Sequence, residues 1–259
     1  MRHAYRSALV TGASSGIGAS SARLLAAGGC ALVLVARRED RLHELAATLR
    51  KRHHVEVEVL PADLASADGV AAVTARLTDG EPVELLVNNA ARSARGSFAE
   101  LSPETIDAQI GLNIVALTRL ARAAAGGMLE RGYGGILNVS SMASLTASPG
   151  TAVYGATKAF VTSLTESLHA ELAGTGVHVT ALIPGFTDTE FHAANDVEIS
   201  YLPKIAWLDA DAVARAGLSA VAAGRPVAVP GPQYKVAAGA VRLLPRAALR
   251  QLARRYRRV

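Results

Sequence analysis

The sequence is short of several things, and each shortage closes a door. One cysteine, Cys30, stands in 259 residues. It excludes an internal disulfide and suits a reducing cytosol. Aromatics make up only 4% of the chain and no nucleic-acid motif is present, so there is little ground for base stacking and no nucleic-acid partner is expected. No run of about 18 apolar residues is present, which excludes a spanning helix. The opening "MRHAYRSALVTG" reaches a glycine turn after too few apolar residues for a signal-peptide core, so the expectation is a soluble, cytoplasmic protein. The histidines lack ligand spacing: "RHH" at 52–54 reads as a helix end, and His169, His178 and His192 have no paired cysteine or acid, so no metal site is expected. The serines of "ASSG" lack the G-x-S-x-G of a nucleophile elbow, which sets a hydrolase aside. Acid is missing from the last stretch. Residues 231–259 hold Lys235 and seven arginines with no Asp or Glu, a formal +8 against −3 for the remainder.

What is present is a regular alternation. Half of the residues are hydrophobic, enough for a full core. Short β-rich runs, "SALVTG", "ALVLVAR", "VEVEVLP", "VELLVNN", "GGILNVSS" and "GVHVTALIP", alternate with longer Ala/Leu/Arg-rich helical segments, and "PVAVP" reads as a seventh strand. Near-continuous apolar strands joined by helical crossovers imply an α/β, doubly wound Rossmann-type fold with a mostly parallel sheet of about seven strands and helices on both faces. No linker, repeat or low-complexity segment interrupts it. One domain is expected over residues 1–235, followed by a basic amphipathic helical extension over 236–259. In such a fold the site lies beyond the carboxyl ends of the strands.

"TGASSGIG", residues 11–18, follows the first strand and opens a helix. Gly12 permits the tight turn, Gly16 close backbone approach and Gly18 close helix packing, with Ser14, Ser15 and Ile17 between them. The free amides and positive dipole of a helix N-terminus suit a pyrophosphate, and without the GK[ST] of a phosphate-transfer loop a dinucleotide is favoured over ATP. At the end of the second strand an acid would bind the adenosine ribose of NAD, whereas an arginine would pair with the 2′-phosphate of NADP. Ala36, Arg37 and Arg38 stand there. Glu39 is the rival, expected instead in the first turn of the next helix. NADP(H) is therefore favoured over NAD(H).

Further along, "YGATKAF" sets Tyr154 four residues before Lys158, on one side of a helix. Such a pair is open to a packing reading or an acid–base reading. A phenol with pKa about 10 is a poor proton partner at neutral pH, and an ammonium one turn away should lower that value. Ser140 and Ser141 end the "NVSS" strand, and alternation allows only one of them to face a site.

Taken in order, "TGASSGIG", "ADL" at 62–64, "NNA" at 88–90, Asn113 in "GLNIVALTRL", "NVSS" at 138–141, "YGATK" and "IPGFTDT" at 183–189 resemble the short-chain dehydrogenase/reductase family over roughly residues 5–230. The resemblance implies a catalytic set of Asn113, Ser141, Tyr154 and Lys158. Tyr154 would be the proton donor, Lys158 its tuner and the anchor of the nicotinamide ribose, Ser141 the donor to the substrate oxygen, and Asn113 the holder of a water leading to Lys158. It implies that Asp63 and the Leu64 backbone bind adenine, that Asn89 and Ala90 line the cofactor, and that Pro184, Gly185, Thr187 and Thr189 hold the carboxamide. It gives Ala36 the slot of the NAD-selecting acid and Arg37 the usual phosphate position. Where the family has "NNAG" this chain has "NNAA", so a mild adjustment near Asn89 is expected at Ala91.

The implied activity is NADPH-dependent reduction of a ketone or aldehyde, reversible as alcohol oxidation, on a small-molecule and hydrophobic substrate, by a homo-oligomer (dimer or tetramer). Residues 186–208 hold Phe186, Phe191, Tyr201 and Trp207 and read as an apolar lid or a packed helix. From Pro245 the tail places Ala248, Leu249, Leu252, Tyr256 and Val259 on one face and Arg246, Arg250, Arg254 and Arg257 on the other, a pattern open to peripheral membrane contact, a partner or its own subunit. The rival functions are a non-catalytic NADP-binding sensor or scaffold, and a membrane-recruited interaction protein.

Overall fold

The computed structural model describes residues 4–147, 149–191, 203–245, 247–249 and 251. The seven apolar runs form β1 (Ser7–Thr11), β2 (Ala31–Ala36), β3 (Val57–Pro61), β4 (Leu85–Asn88), β5 (Gly134–Val139), β6 (Val177–Leu182) and β7 (Val227–Ala228). They pair in the order β3-β2-β1-β4-β5-β6-β7. Every pairing is parallel, so the expectation of a mostly parallel sheet sharpens to a wholly parallel one. The crossovers are α1 (Gly16–Ala27), α2 (Glu39–His53), α3 (Ala67–Thr78), α4 (Pro103–Ile110), α5 (Leu117–Arg131), α6 (Ala152–Glu171) and α7 (Ala210–Ala222), and α8 (Pro232–Leu243) follows β7.

Side-chain alternation along each strand builds two cores, one on either face. Val10, Leu34, Val87 and Leu137 point to the layer of Leu25 on α1, Leu42 on α2 and Val213 on α7. Their neighbours Leu9, Val33, Leu86 and Ile136 point to Val73 on α3 and to Leu120 and Met128 on α5. Leu9 is wholly buried and in register with Val33 and Leu86. Truncating it to Ala would cost about 2–5 kcal/mol through lost burial and a cavity.

The chain turns outward from β1 in both directions, because β1 pairs with β2 on one side and β4 on the other. That reversal opens a crevice at the carboxyl ends of β1 and β4. The glycine turn and Asn89 lie there.

The expected boundary at residue 235 falls inside α8. On that helix Val236 is 73% and Leu243 87% exposed, and the amides of Ala248 and Leu249 donate to the Pro245 carbonyl. The rest of the tail pattern, Arg246, Arg250, Leu252, Arg254, Tyr256, Arg257 and Val259, lies outside the described residues, as do residues 192–202 of the expected lid. Among the described residues no helix is long and apolar enough to cross a membrane.

Candidate active site

The glycine turn is held by contacts that leave room for nothing larger than hydrogen. Gly12 (φ +66°) and Gly16 (φ +54°) have left-handed backbones, which a side chain strains. A Cβ on Gly12 or Gly18 would come within 2.6 Å of Asn89 Nδ2, and one on Gly16 within 3.0 Å of Thr189 Cγ2. Asn89 Nδ2 donates to the carbonyls of Thr11 (3.0 Å) and Gly12 (3.3 Å), while the Thr11 hydroxyl accepts from the amides of Asn89 (2.9 Å) and Ala90 (3.0 Å). The end of β4 is thus fastened to the turn after β1. Ser15, the N-cap of α1, makes no side-chain capping bond to the amides of the first turn, and that turn carries no acid. This end of α1, unblocked and bearing the positive pole of its dipole, fits a dinucleotide pyrophosphate. The Ile17 side chain packs into the core.

At the end of β2 the cations divide. Glu39 begins α2, with Asp40 beside it in the first turn, as expected of acids near a helix dipole. Arg37 is exposed and makes no hydrogen bond or ion pair among the described residues. Arg38 donates to the hydroxyls of Ser14 (3.0 Å) and Ser15 (2.8 Å). It also donates to Glu190 Oε2 at 2.9 Å. After β3, the Asp63 carboxylate accepts from the Ala65 amide at 3.0 Å, and Leu64 is buried in the core, which leaves only its backbone available.

Across the crevice lie the residues expected to do chemistry. Ser140 is turned away: its hydroxyl donates to the Lys158 carbonyl (2.9 Å) and lies 2.7 Å from Thr162 Oγ1. Ser141 caps a short 3-10 turn by accepting from the Ala143 amide at 3.1 Å, and its hydroxyl is near enough to Tyr154 to favour the phenolate. Strand alternation left two serines open, and only Ser141 reaches the tyrosine. Lys158 Nζ lies 5.8 Å from the centre of the Tyr154 ring and donates to the Val139 carbonyl at 2.7 Å.

The tuning of the pair differs from the sequence expectation. Burial pushes the Tyr154 phenol up to about 12, opposed by the Ser141 hydrogen bond. Burial also pushes Lys158 down to about 8. Desolvation of each charged form outweighs the attraction between them, because the ammonium is directed at a carbonyl on β5.

Asn113 is 1% exposed and sits in a π-helical segment, Gly111–Ala116, between α4 and α5. Such segments are frequent at functional sites. Its Oδ1 accepts from the Arg92 amide (3.0 Å), and its Nδ2 donates to the Arg92 carbonyl (2.9 Å) and to Thr157 Oγ1 (3.0 Å). Thr157 donates in turn to the Tyr154 carbonyl at 2.8 Å. Asn113 therefore ties the loop after β4 to the turn of α6 that carries the tyrosine. A second buried chain does the same from the strands: Asn88 Nδ2 donates to Asn138 Oδ1 and Asn138 Nδ2 to Thr165 Oγ1, each at 3.0 Å.

Beyond β6, the Pro184 carbonyl accepts from the Met142 amide at 2.9 Å. Thr187, 4% exposed, donates to the Gly185 carbonyl and bridges to Leu208. The Phe191 ring lies 6.0 Å from that of Tyr154, and Phe186 lies 6.2 Å from Trp207.

Residues 6–198 match the family model described as short chain dehydrogenase. The chain belongs to the short-chain dehydrogenase family. It is an NAD(P)-dependent oxidoreductase acting on alcohol and carbonyl groups. Sulfoacetaldehyde reductase 2 of Chromohalobacter salexigens is 39% identical over 190 residues, covering 71% of this chain and 73% of its own. A short-chain dehydrogenase from Sphingobium yanoikuyae in complex with NADPH superposes with a TM-score of 0.84 at 38% identity, over 90% of this chain and 92% of that one. A short-chain dehydrogenase/reductase from Burkholderia phymatum in complex with NAD gives 0.80 at 28% identity, over 92% and 93%.

The departure at Ala91 costs this dehydrogenase no strain, since among the described residues His54 is the only non-glycine with a positive φ. Sequence reasoning overlooked Thr11 and Thr157, although both stood inside quoted motifs. It also overlooked Tyr234 on α8, which packs on Gly185 so closely that a Cβ there would overlap its ring. The Tyr234 hydroxyl accepts from the Phe186 amide (3.0 Å) and donates to the Ala206 carbonyl (2.6 Å). Nothing in the sequence joins two residues so far apart.

Proposed function

We propose that this dehydrogenase reduces a hydrophobic ketone or aldehyde with NADPH, using Tyr154 as proton donor. The observation that carries the proposal is the convergence of three side chains beside the glycine turn at the sheet's reversal: Ser141, whose hydroxyl favours the Tyr154 phenolate, Tyr154 itself, and Lys158, with Nζ 5.8 Å from the centre of the tyrosine ring. When bound, the cofactor supplies the hydride. Ser141 and Tyr154 together hold the substrate oxygen, and their O–H groups stabilise the negative charge that develops on it. The Tyr154 proton then passes to that oxygen, leaving a phenolate that the Ser141 hydroxyl and the Lys158 ammonium stabilise. Burial holds the phenol in its protonated form at neutral pH, the form that donates to the substrate oxygen. Asn113, through Thr157, keeps Tyr154 in place. Gly12, Gly16, Gly18, Asn89 and Ala90 would cradle the pyrophosphate side, Asp63 and the Leu64 backbone the adenine, and Pro184, Gly185, Thr187 and Thr189 the carboxamide. Arg37 and Arg38 would take the 2′-phosphate. Phe191 beside Tyr154, with Phe186 and Trp207 at the root of the same segment, supports an apolar substrate. The partly exposed Val115, Leu129 and Phe160 support assembly with further copies of the chain, which light scattering would measure.

The test follows NADPH and NADH oxidation across a panel of steroid, acyl, quinone and aromatic carbonyls, with Tyr154→Phe in parallel. Turnover of at least one carbonyl with NADPH is expected, lost in the variant while NADPH binding is retained. Equal or better use of NADH would overturn the phosphate assignment, and a fully active variant would overturn the mechanism.

A further inference from the structure

Arg38 and Arg41 already hold an anion, and it is the protein's own. Arg41 Nη1 donates to both oxygens of Glu190, at 2.6 and 2.7 Å, and Arg38 Nη1 to Oε2 at 2.9 Å. The same Arg38 guanidinium holds Ser14 and Ser15 of the glycine turn. Thr189, next to Glu190, lies against Gly16. The segment after β6 thus reaches across the mouth of the glycine turn and closes on the cations at the start of α2. The hydrogen bonds from Arg38 and Arg41 hold the Glu190 carboxyl below its usual range.

We infer that Glu190 is an internal competitor for the cofactor's 2′-phosphate: it occupies Arg38 and Arg41 until a phosphomonoester displaces it. This rests on the NADP assignment to Arg37 and Arg38 made above. A phosphomonoester carries a charge of about −1.5 to −2 and three acceptor oxygens against one charge and two oxygens on the carboxylate, so it wins the exchange. Arg38, Arg41 and Glu190 are each about half exposed, so the internal tie is weak enough to give way. NAD has no group able to make the exchange, so its affinity is independent of Glu190. Phe191, the next residue, packs by Tyr154; release of Glu190 therefore loosens the segment that covers the proton donor at the moment the cofactor arrives.

The full-length protein and its Glu190→Gln variant would be titrated calorimetrically with adenosine 2′,5′-bisphosphate and with adenosine 5′-monophosphate. Wild type should prefer the bisphosphate. The variant should bind the bisphosphate about three- to tenfold more tightly, the range expected when two exposed ion pairs no longer compete, with the monophosphate unchanged; Glu190→Ala should move in the same direction. Amide exchange over residues 187–191 should quicken in wild type on adding the bisphosphate and not in the variant. A wild type indifferent to the 2′-phosphate overturns the NADP assignment and this inference with it. A wild type that prefers the bisphosphate, with a variant unchanged, weaker, or tighter for both probes, overturns the competitor alone. So does amide exchange in wild type that stays constant or slows.

Discussion

Lys158 should make the fold less stable and the enzyme more active, and its replacement by methionine separates the two. The side chain is 2% exposed, and burial lowers its pKa from 10.5 to about 8. At about 1.4 kcal/mol per tenfold, that gap means that burying the ammonium costs about 3 kcal/mol at neutral pH. Methionine fills similar space without a charge and forfeits the bond to the Val139 carbonyl, worth about 1 kcal/mol. Lys158→Met should therefore gain about 2 kcal/mol of stability at pH 7 while losing roughly 100-fold or more in turnover. The sign of the pH dependence follows from the depressed folded value. Between about pH 8 and 10.5 the unfolded chain holds the proton that the folded one has released, so wild-type stability rises with pH across that window and the variant's does not. Urea unfolding followed by circular dichroism, extrapolated to water, should show the difference closing by about 2 kcal/mol between neutral pH and about pH 9.5. A variant less stable than wild type at pH 7, or a difference that stays flat with pH, would refute the reasoning.

The same depressed value predicts that carbonyl reduction falls about tenfold per pH unit above about pH 8, as Lys158 loses the charge that stabilises the phenolate; a rate flat to pH 10 would remove the lysine from that role. Asn113→Ala removes the partner of the Arg92 amide and carbonyl and the donor to Thr157 Oγ1, and should cost about 2–4 kcal/mol in urea unfolding with reduced turnover. A loss under about 0.5 kcal/mol would show those bonds to be dispensable. Gly18→Ala drives a Cβ into the Gly12 carbonyl and should weaken cofactor binding at least about tenfold. Gly111→Ala, with nothing within 4 Å of the added atom, is the control that should bind normally.

Much of this protein was legible along the chain because the information is local. Alternating strand residues such as Leu9 and Val10 announce a sheet covered on both faces, and glycines 12, 16 and 18 announce a close approach that no side chain survives. Tyr154 and Lys158 at four-residue spacing announce a shared helix face, and Glu39 after two arginines announces a helix start. These depend on periodicity and backbone sterics, which neighbouring residues determine by themselves.

What only the tertiary structure decided depends on burial and on partners far away in sequence. Ser141 rather than Ser140 reaches the tyrosine because Ser140 is drawn into α6 by Thr162 and the Lys158 carbonyl. The tyrosine's pKa rises rather than falls because desolvation exceeds a lysine's attraction once that lysine is turned to Val139. Asn113 became a fastener when folding brought Arg92 and Thr157 to it, and Glu190 found Arg38 and Arg41 across some 150 residues. Local pattern determined which groups are available; the dielectric and the geometry that assign them work exist only after the chain has closed around them.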